Sequence, residues 1–331
     1  MLAIAINGSG GPNVLTPIET EKPVPASGEV LVKVAAAGVN GPDISQREGR
    51  YAPPRDASPL PGLEVSGIVE VVGSNVAAFG PGDAVVALTN GGGYAEYVTA
   101  PAGQVLPKPE SWSWIEAATI PETFFTIQQT LVERAGLAAD KTVLIHGGSG
   151  GLGTTAIQMT KLFGGTAIAT VSTEEKAAYA RQMGADAAIN YREEDFVERT
   201  LALTNGKGAD IIVDIIAGSY ANRNLKAAAP GGHILQLAIR EGAKSEINMG
   251  LILMKALTIS GSTLRPKSAA DKTRYASALK QIVWPAIANR RIRPPRIRTF
   301  PLAAAADAHR AMEAPDHYGK IVLVTEFGVS L

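Results

Sequence analysis

A glycine-dense run at 147–153 is where the chemistry of this 331-residue chain is easiest to read. Gly147-Gly148-Ser149-Gly150-Gly151-Leu152-Gly153 follows the apolar stretch TVLIH (142–146) and precedes TTAIQMTKLFG, which has helical periodicity. Gly148, Gly150 and Gly153 satisfy G-x-G-x-x-G. Between a strand and a helix this pattern lets the backbone turn tightly, approach a pyrophosphate closely and aim the helix's first amides at that anion. Dinucleotide preference is set about 20 residues on, where an acidic side chain would accept from an NAD ribose. Here the chain reads Val171-Ser172-Thr173-Glu174-Glu175-Lys176. Ser172 offers a hydroxyl and Lys176 a cation, a pair suited to a 2′-phosphate, so NADPH is the expected cofactor. Glu174 keeps NADH open, and Lys176 also fits a solvated helix lysine paired with Glu174 or Glu175.

Such a loop has to be held by alternating strands and helices, and from Pro121 onward the texture is of that kind. Candidate strands are TVLIHG (142–147), TAIATV (166–171), AAIN (187–190), DIIVDII (210–216), GHILQLA (232–238) and LTISGS (257–262), enough for a Rossmann doubly wound parallel sheet. A helix is expected over 271–290. The first ~120 residues instead show short apolar runs such as EVLVKVAAAGV (29–39) and GIVEVVG (67–73), broken by Gly and Pro, which predicts a mostly β domain. The tail from Pro295, ending in GKIVLVTEF (319–327), is expected to rejoin it. The resulting division is 1–122 with 295–331 for one domain and 123–294 for the other, in an α/β fold. Two domains also follow from length, since single cores stop growing near 250–300 residues.

The composition is that of a globular enzyme, 46% hydrophobic and 19% charged, with 31 basic against 31 acidic side chains. Zero net charge gives no general attraction for nucleic acid or anionic lipid. No apolar run reaches the ~18 residues of a membrane span and the first residues lack a secretory signal pattern, so a cytoplasmic address is expected. With no cysteine, and with His146, His233, His309 and His317 far apart, a zinc site is not expected.

A second set of segments carries a resemblance. Ala37-Gly38-Val39-Asn40-Gly41-Pro42-Asp43 precedes Arg47, Gly49 and Tyr51; Pro61-Gly62-Leu63-Glu64, Gly80-Pro81-Gly82-Asp83 and Gly91-Gly92-Gly93-Tyr94-Ala95-Glu96-Tyr97-Val98 follow. With IPETFFT (120–126), HGGSGGLGTTAIQ, and His309-x-x-Met312-Glu313 before GKIVL, they resemble the zinc-independent quinone oxidoreductases of the medium-chain dehydrogenase/reductase superfamily. The resemblance covers essentially the whole chain. It looks closest to the branch containing the tumour-suppressor-inducible quinone oxidoreductase. It implies that the β domain is GroES-like and binds substrate. Zinc-dependent relatives carry Gly-His-Glu where this chain has Gly62-Leu63-Glu64, so Glu64 is read as a locally paired carboxylate.

The resemblance further implies that Asn40, Tyr51 and Thr126 lie near a nicotinamide and that Ser172, Lys176 and Tyr191 surround the adenosine phosphate. Beside the loop residues Gly148, Gly150, Gly151, Leu152 and Gly153, it points to Ala217, to Leu237, Ala238 and Ile239, and to Ser262, Thr263 and Leu264. Tyr191 also fits a packed aromatic at a strand end, and 262–264 an ordinary edge strand. The implied reaction moves hydride from NADPH to a quinone or related conjugated carbonyl, with Tyr51, or a water ordered by Tyr51 and Asn40, donating to the developing oxyanion. Tyr51 also fits simple packing in the Tyr-Ala-Pro-Pro turn. An alkenal or enone (enoyl) reductase, and a catalytically quiet NADPH-binding protein, are the alternatives. A homodimer is expected, paired through LTISGS.

Overall fold

The computed structural model describes residues 1–55 and 57–331 and divides into two compact units, Met1–Phe125 with Arg265–Leu331, and Thr126–Leu264. Among the described residues no helix is long and apolar enough to cross a membrane.

In the first unit a seven-stranded sheet runs in the spatial order Ile297–Pro301, Lys320–Val324, Glu29–Val39, Glu64–Val72, Ala84–Leu88 and Val105–Pro107, with Tyr97–Pro101 also paired to Glu29–Val39. All pairings are antiparallel except that of Ile297–Pro301 with Lys320–Val324. A hairpin of Leu2–Ile6 and Leu15–Glu19 stands beside it. β-Branched residues at alternate positions, Val30, Val32 and Val34 opposite Val69 and Val98, close the core. That alternation makes the region read as strands. The tail does rejoin this sheet: Ile321–Val324 pairs Val39–Ala36 residue for residue.

The second unit holds six parallel strands, β1 (Thr142–His146), β2 (Thr166–Val171), β3 (Ala187–Asn190), β4 (Ala209–Asp214), β5 (Ala228–Gln236) and β6 (Thr258–Gly261). Their order across the sheet is β3-β2-β1-β4-β5-β6, the doubly wound arrangement with its reversal at β1. Val143, Leu144, Ile145 and Ile168 are buried on both faces, as a helix-covered parallel sheet requires.

The expected helix forms at Ala269–Ala288, with Pro285 inside it. Its placement corrects the domain division, because it belongs to the first unit and the second ends at Leu264 rather than at 294. Its side chains explain this. Trp284 Nε1 donates to Pro107 O at 2.9 Å and the buried Lys272 to Asn90 Oδ1 at 2.6 Å, while a Cβ on Gly103 would stand 2.1 Å from Thr273 Oγ1. Helical periodicity alone does not say which core a helix joins.

Candidate active site

In the second unit the candidate cofactor residues sit where the parallel strands end. The glycine run leaves β1 and enters the helix Gly151–Leu162. A Cβ on Gly153 would lie 2.3 Å from Gly147 O and 2.7 Å from Gly148 Cα, and one on Gly148 would lie 2.5 Å from Ala169 Cβ. Only glycine lets the helix close onto the turn this tightly. The first turn of that helix holds no acidic residue, so no side chain there opposes the positive end of the helix dipole. This is a cradle that fits a pyrophosphate.

Ser172 follows β2 directly, and Thr173 caps the helix Glu174–Gln182 by accepting from Lys176 N at 3.2 Å. Lys176 is 8% exposed, so it is no solvated surface lysine, and Glu174 pairs with Arg181 at 2.6 Å instead. Tyr191 N donates to Val171 O at 3.0 Å, which brings Tyr191, 41% exposed, beside Ser172. Ala217 adopts φ +62° after β4, held by Asp214 Oδ1, which accepts from Ile216 N at 2.6 Å and Ala217 N at 3.1 Å. Leu237 N donates to Asp214 O at 2.8 Å, and Ala238 O accepts from Gln236 Nε2 at 2.6 Å, with Ile239 exposed beyond. Ser262 N donates to Gln236 O at 3.3 Å, which sets Ser262, Thr263 and Leu264 alongside 237–239. Ser262 Oγ also meets the amide of Gln129, whose buried Oε1 has no partner among the described residues. Gln129 belongs to a π-helical turn, Gln128–Arg134, that continues the helix of Thr126. Sequence reasoning missed Gln129, because a π turn has no sequence signature of its own.

Asn40 and Tyr51 belong to the first unit, at either end of the helix Gly41–Arg47. Asn40 is 6% exposed and its amide is fully engaged: Nδ2 donates to Glu64 Oε1 at 2.9 Å and Oδ1 accepts from Lys320 Nζ at 2.7 Å. Lys320 also bonds Glu64, and Glu64 Oε2 accepts from Glu122 N at 2.9 Å. Glu64 is thus paired, though through residues 24 to 256 positions away rather than locally. Its place requires Gly38, since a Cβ there would stand 2.0 Å from Glu64 Oε1. Asp43, fully buried, accepts from Asn40 N at 2.8 Å and Gly62 N at 3.0 Å. Burial pushes its carboxyl up to about 6 against those bonds and the Lys320 field.

The Tyr51 hydroxyl carries no hydrogen bond among the described residues. Burial and the Glu122 carboxylate push it up to about 12, with Arg265, whose guanidinium lies 5.9 Å from the ring centroid, acting the other way. Arg265 is anchored on Asn90 O at 2.9 Å and Gln46 Oε1 at 2.7 Å. Glu122 is pushed up to about 8 by burial and by Glu64 and Asp43. Asp43, Glu122 and Lys320 lie within the sequence motifs without a role assigned to them, and Arg265 directly follows Leu264. Their signal is charged residues inside apolar motifs, where a charge survives only with partners.

A GroES-like unit and a separate doubly wound nucleotide-type unit on one chain define the medium-chain dehydrogenase/reductase class. The alcohol dehydrogenase GroES-like domain family matches residues 26–110 and the zinc-binding dehydrogenase family residues 151–283. Human quinone oxidoreductase is 32% identical over 330 residues, 98% of each chain. The quinone oxidoreductase of Pseudomonas syringae superimposes with a TM-score of 0.88 at 29% identity, over 98% of this chain and 99% of that one. The Escherichia coli quinone oxidoreductase complexed with NADPH gives 0.86 at 29%, over 98% and 100%. The chain belongs to the quinone oxidoreductase family of the medium-chain dehydrogenases/reductases.

Proposed function

We propose that the chain is an NADPH-dependent oxidoreductase that reduces a quinone or a related conjugated carbonyl without a metal. The observation that carries this is the glycine cradle at the end of β1, joined at the same sheet edge by Ser172, Lys176 and Tyr191. Bound there, the reduced dinucleotide supplies hydride. Ser172, Lys176 and Tyr191 hold a 2′-phosphate through a hydroxyl, an ammonium and a phenol. Thr126, Ala217, Leu237, Ala238, Ile239, Ser262, Thr263 and Leu264 line the remainder of the cofactor. A relative that is described as complexed with NADPH supports this choice.

Tyr51 donates a hydrogen bond to the oxyanion that develops on the reduced carbonyl. A phenol held near 12 stays protonated throughout the neutral range and is a donor at every working pH. Asn40, its amide already committed, orients the surroundings instead of moving a proton. The zinc position of related enzymes holds Leu63, and Glu64 is spent on Lys320 and Asn40. Dimerisation fits the edge strand β6, whose Ile259 is exposed beside a helix, Met249–Lys255, with Leu253 and Met254 exposed.

Titration with NADPH and NADH by intrinsic fluorescence, followed by cofactor oxidation with 1,2-naphthoquinone and with a medium-chain alkenal in parallel, tests the proposal. Tighter NADPH binding with faster quinone turnover is expected. Turnover of the alkenal alone assigns the chain to the enone reductases, and binding without turnover removes the catalytic assignment.

A further inference from the structure

We infer that His146 and Asn224 are positioning residues for the cofactor site, through an unbroken line of side-chain hydrogen bonds that ties the ends of β1, β2 and β4 to one carboxylate, Asp214. The inference rests on the proposed function only in taking the loops at those strand ends as the seat of the dinucleotide.

The four side chains of the line, Thr170, His146, Asn224 and Asp214, are all buried. Asp214 closes β4 and spends Oδ1 on Ile216 N at 2.6 Å and Ala217 N at 3.1 Å. Its Oδ2 accepts from Asn224 Nδ2 at 2.9 Å, in the helix Tyr220–Ala227. Asn224 Oδ1 faces His146 Nε2 at 2.8 Å, and His146 Nδ1 faces Thr170 Oγ1 on β2 at 3.0 Å. The backbone carries each end into a loop. His146 leads directly into Gly147, where a Cβ would stand 2.7 Å from Ile215 Cδ1. Thr170 O accepts from Gly148 N at 3.0 Å, and Asp214 O from Leu237 N at 2.8 Å. The glycine turn, Ser172, the turn at Ala217 and the segment from Leu237 thus share one buried scaffold.

The carboxylate sets the direction of the whole line. It only accepts, so Asn224 turns Nδ2 toward it and Oδ1 toward the imidazole. That oxygen demands an N–H at Nε2, which leaves the lone pair on Nδ1 and makes the Thr170 hydroxyl the donor. The other tautomer would need Asn224 reversed, with its oxygen set against Asp214. A second ring proton would place a cation edge-on to Phe196 and Tyr220, each 4.9 Å away between centroids, with the Arg223 guanidinium 4.1 Å from the Phe196 centroid. Burial, aided by Arg223, holds His146 below its ordinary value against Asp214 and the Asn224 bond. What the line secures is the turn at Ala217. An alanine at φ +62° is strained and persists only while its surroundings hold it, here through Asp214 Oδ1.

The experiment compares His146→Leu, Asn224→Leu, the two combined, and His146→Gln, each in the full chain. Leucine cuts the line, whereas glutamine offers Asn224 an N–H in place of Nε2. Each leucine variant should weaken NADPH and NADH alike by about tenfold in a fluorescence titration, because the Asp214 turn loosens and not the phosphate pair Ser172 and Lys176. The combined variant should also lose about tenfold rather than about a hundredfold, since one line can be cut only once. His146→Gln should stay within about twofold of the parent. Folded leucine variants with unchanged Kd overturn the inference, as do losses that multiply in the combined variant or a glutamine variant as weak as the leucine one. Two-bond 1H–15N correlation spectra of the imidazoles, with His146 assigned through His146→Gln, read the line without cofactor and without the leucine variants. They should show the His146 proton on Nε2 at neutral pH, and a proton on Nδ1 overturns the inference. Should the parent bind neither dinucleotide, the cofactor reading falls, while the position of the His146 proton still upholds or overturns the line.

Discussion

Tyr51 and Lys176 carry separable parts of the proposed reaction, and each has its own readout. The Tyr51 hydroxyl is unengaged among the described residues and is held protonated by burial and by Glu122. Tyr51→Phe keeps the ring over which Arg265 lies and deletes only the donor. Turnover at saturating NADPH should fall about 10- to 100-fold with NADPH affinity unchanged, as expected for a donor that acts on developing charge. Steady-state kinetics decide it, and an unaltered kcat would leave Tyr51 as packing in its proline turn. Lys176, buried in the first turn of its helix, stands on the adenosine side of the proposed site. Lys176→Ala should weaken NADPH binding about tenfold while leaving NADH within about twofold, because only the phosphate has lost a partner. Equal weakening of both cofactors in the fluorescence titration would take the phosphate role away from it.

At the scale of elements, the edge strand β6 and the helix Met249–Lys255 leave apolar side chains in water, with Leu253 83% and Met254 75% exposed. An open edge of this kind invites a second copy. If the chain pairs through this edge as proposed, light scattering at micromolar concentration should give a dimer for the parent and a monomer when Ile259 is replaced by lysine, with NADPH binding undisturbed. A parent chain that is already monomeric contradicts the pairing. The elements also show what could be read in advance. β2 and β3 match their expected bounds because Gly164-Gly165 and Gly184 precede short apolar runs, a purely local signal. The contact of Tyr191 with Ser172's neighbour follows from those strands lying side by side, and it was accessible through the family pattern. The helix Ala269–Ala288 was legible as a helix, but its attachment to Asn90 and Pro107 was not, since it depends on contacts 177 and 182 residues apart. The same holds for Arg47 and His309, separated by 262 positions. Periodicity describes which face of an element is apolar, and it carries no information about the distant polar group that satisfies a buried charge.

Over the whole molecule, the buried ionisable groups of the first unit set how stability depends on pH, and they pull in opposite directions. His309, held at about 4 against an ordinary 6.5, lets the unfolded chain bind a proton that the folded chain refuses, so its share of stability is present above 6.5 and is lost as pH falls toward 4. Glu122 works the other way. Its carboxyl is pushed up to about 8 from 4.5 by burial and by Glu64 and Asp43, with Lys320 and Lys272 opposing. Between 4.5 and 8 the folded chain keeps a proton the unfolded chain has released, so stability falls as pH rises through that window and the cost is complete above 8. Glu122→Gln removes the titration but keeps the backbone N–H that holds Glu64. The variant should match the parent at pH 4 and exceed it at pH 9 by on the order of 2 to 4 kcal/mol, the worth of a few pKa units at a half-buried site. Chemical denaturation across pH 4 to 9 measures the difference directly. Parallel curves would mean that water or rearrangement already solvates Glu122, and the cluster around Asn40 would then be less dry than its hydrogen bonds imply.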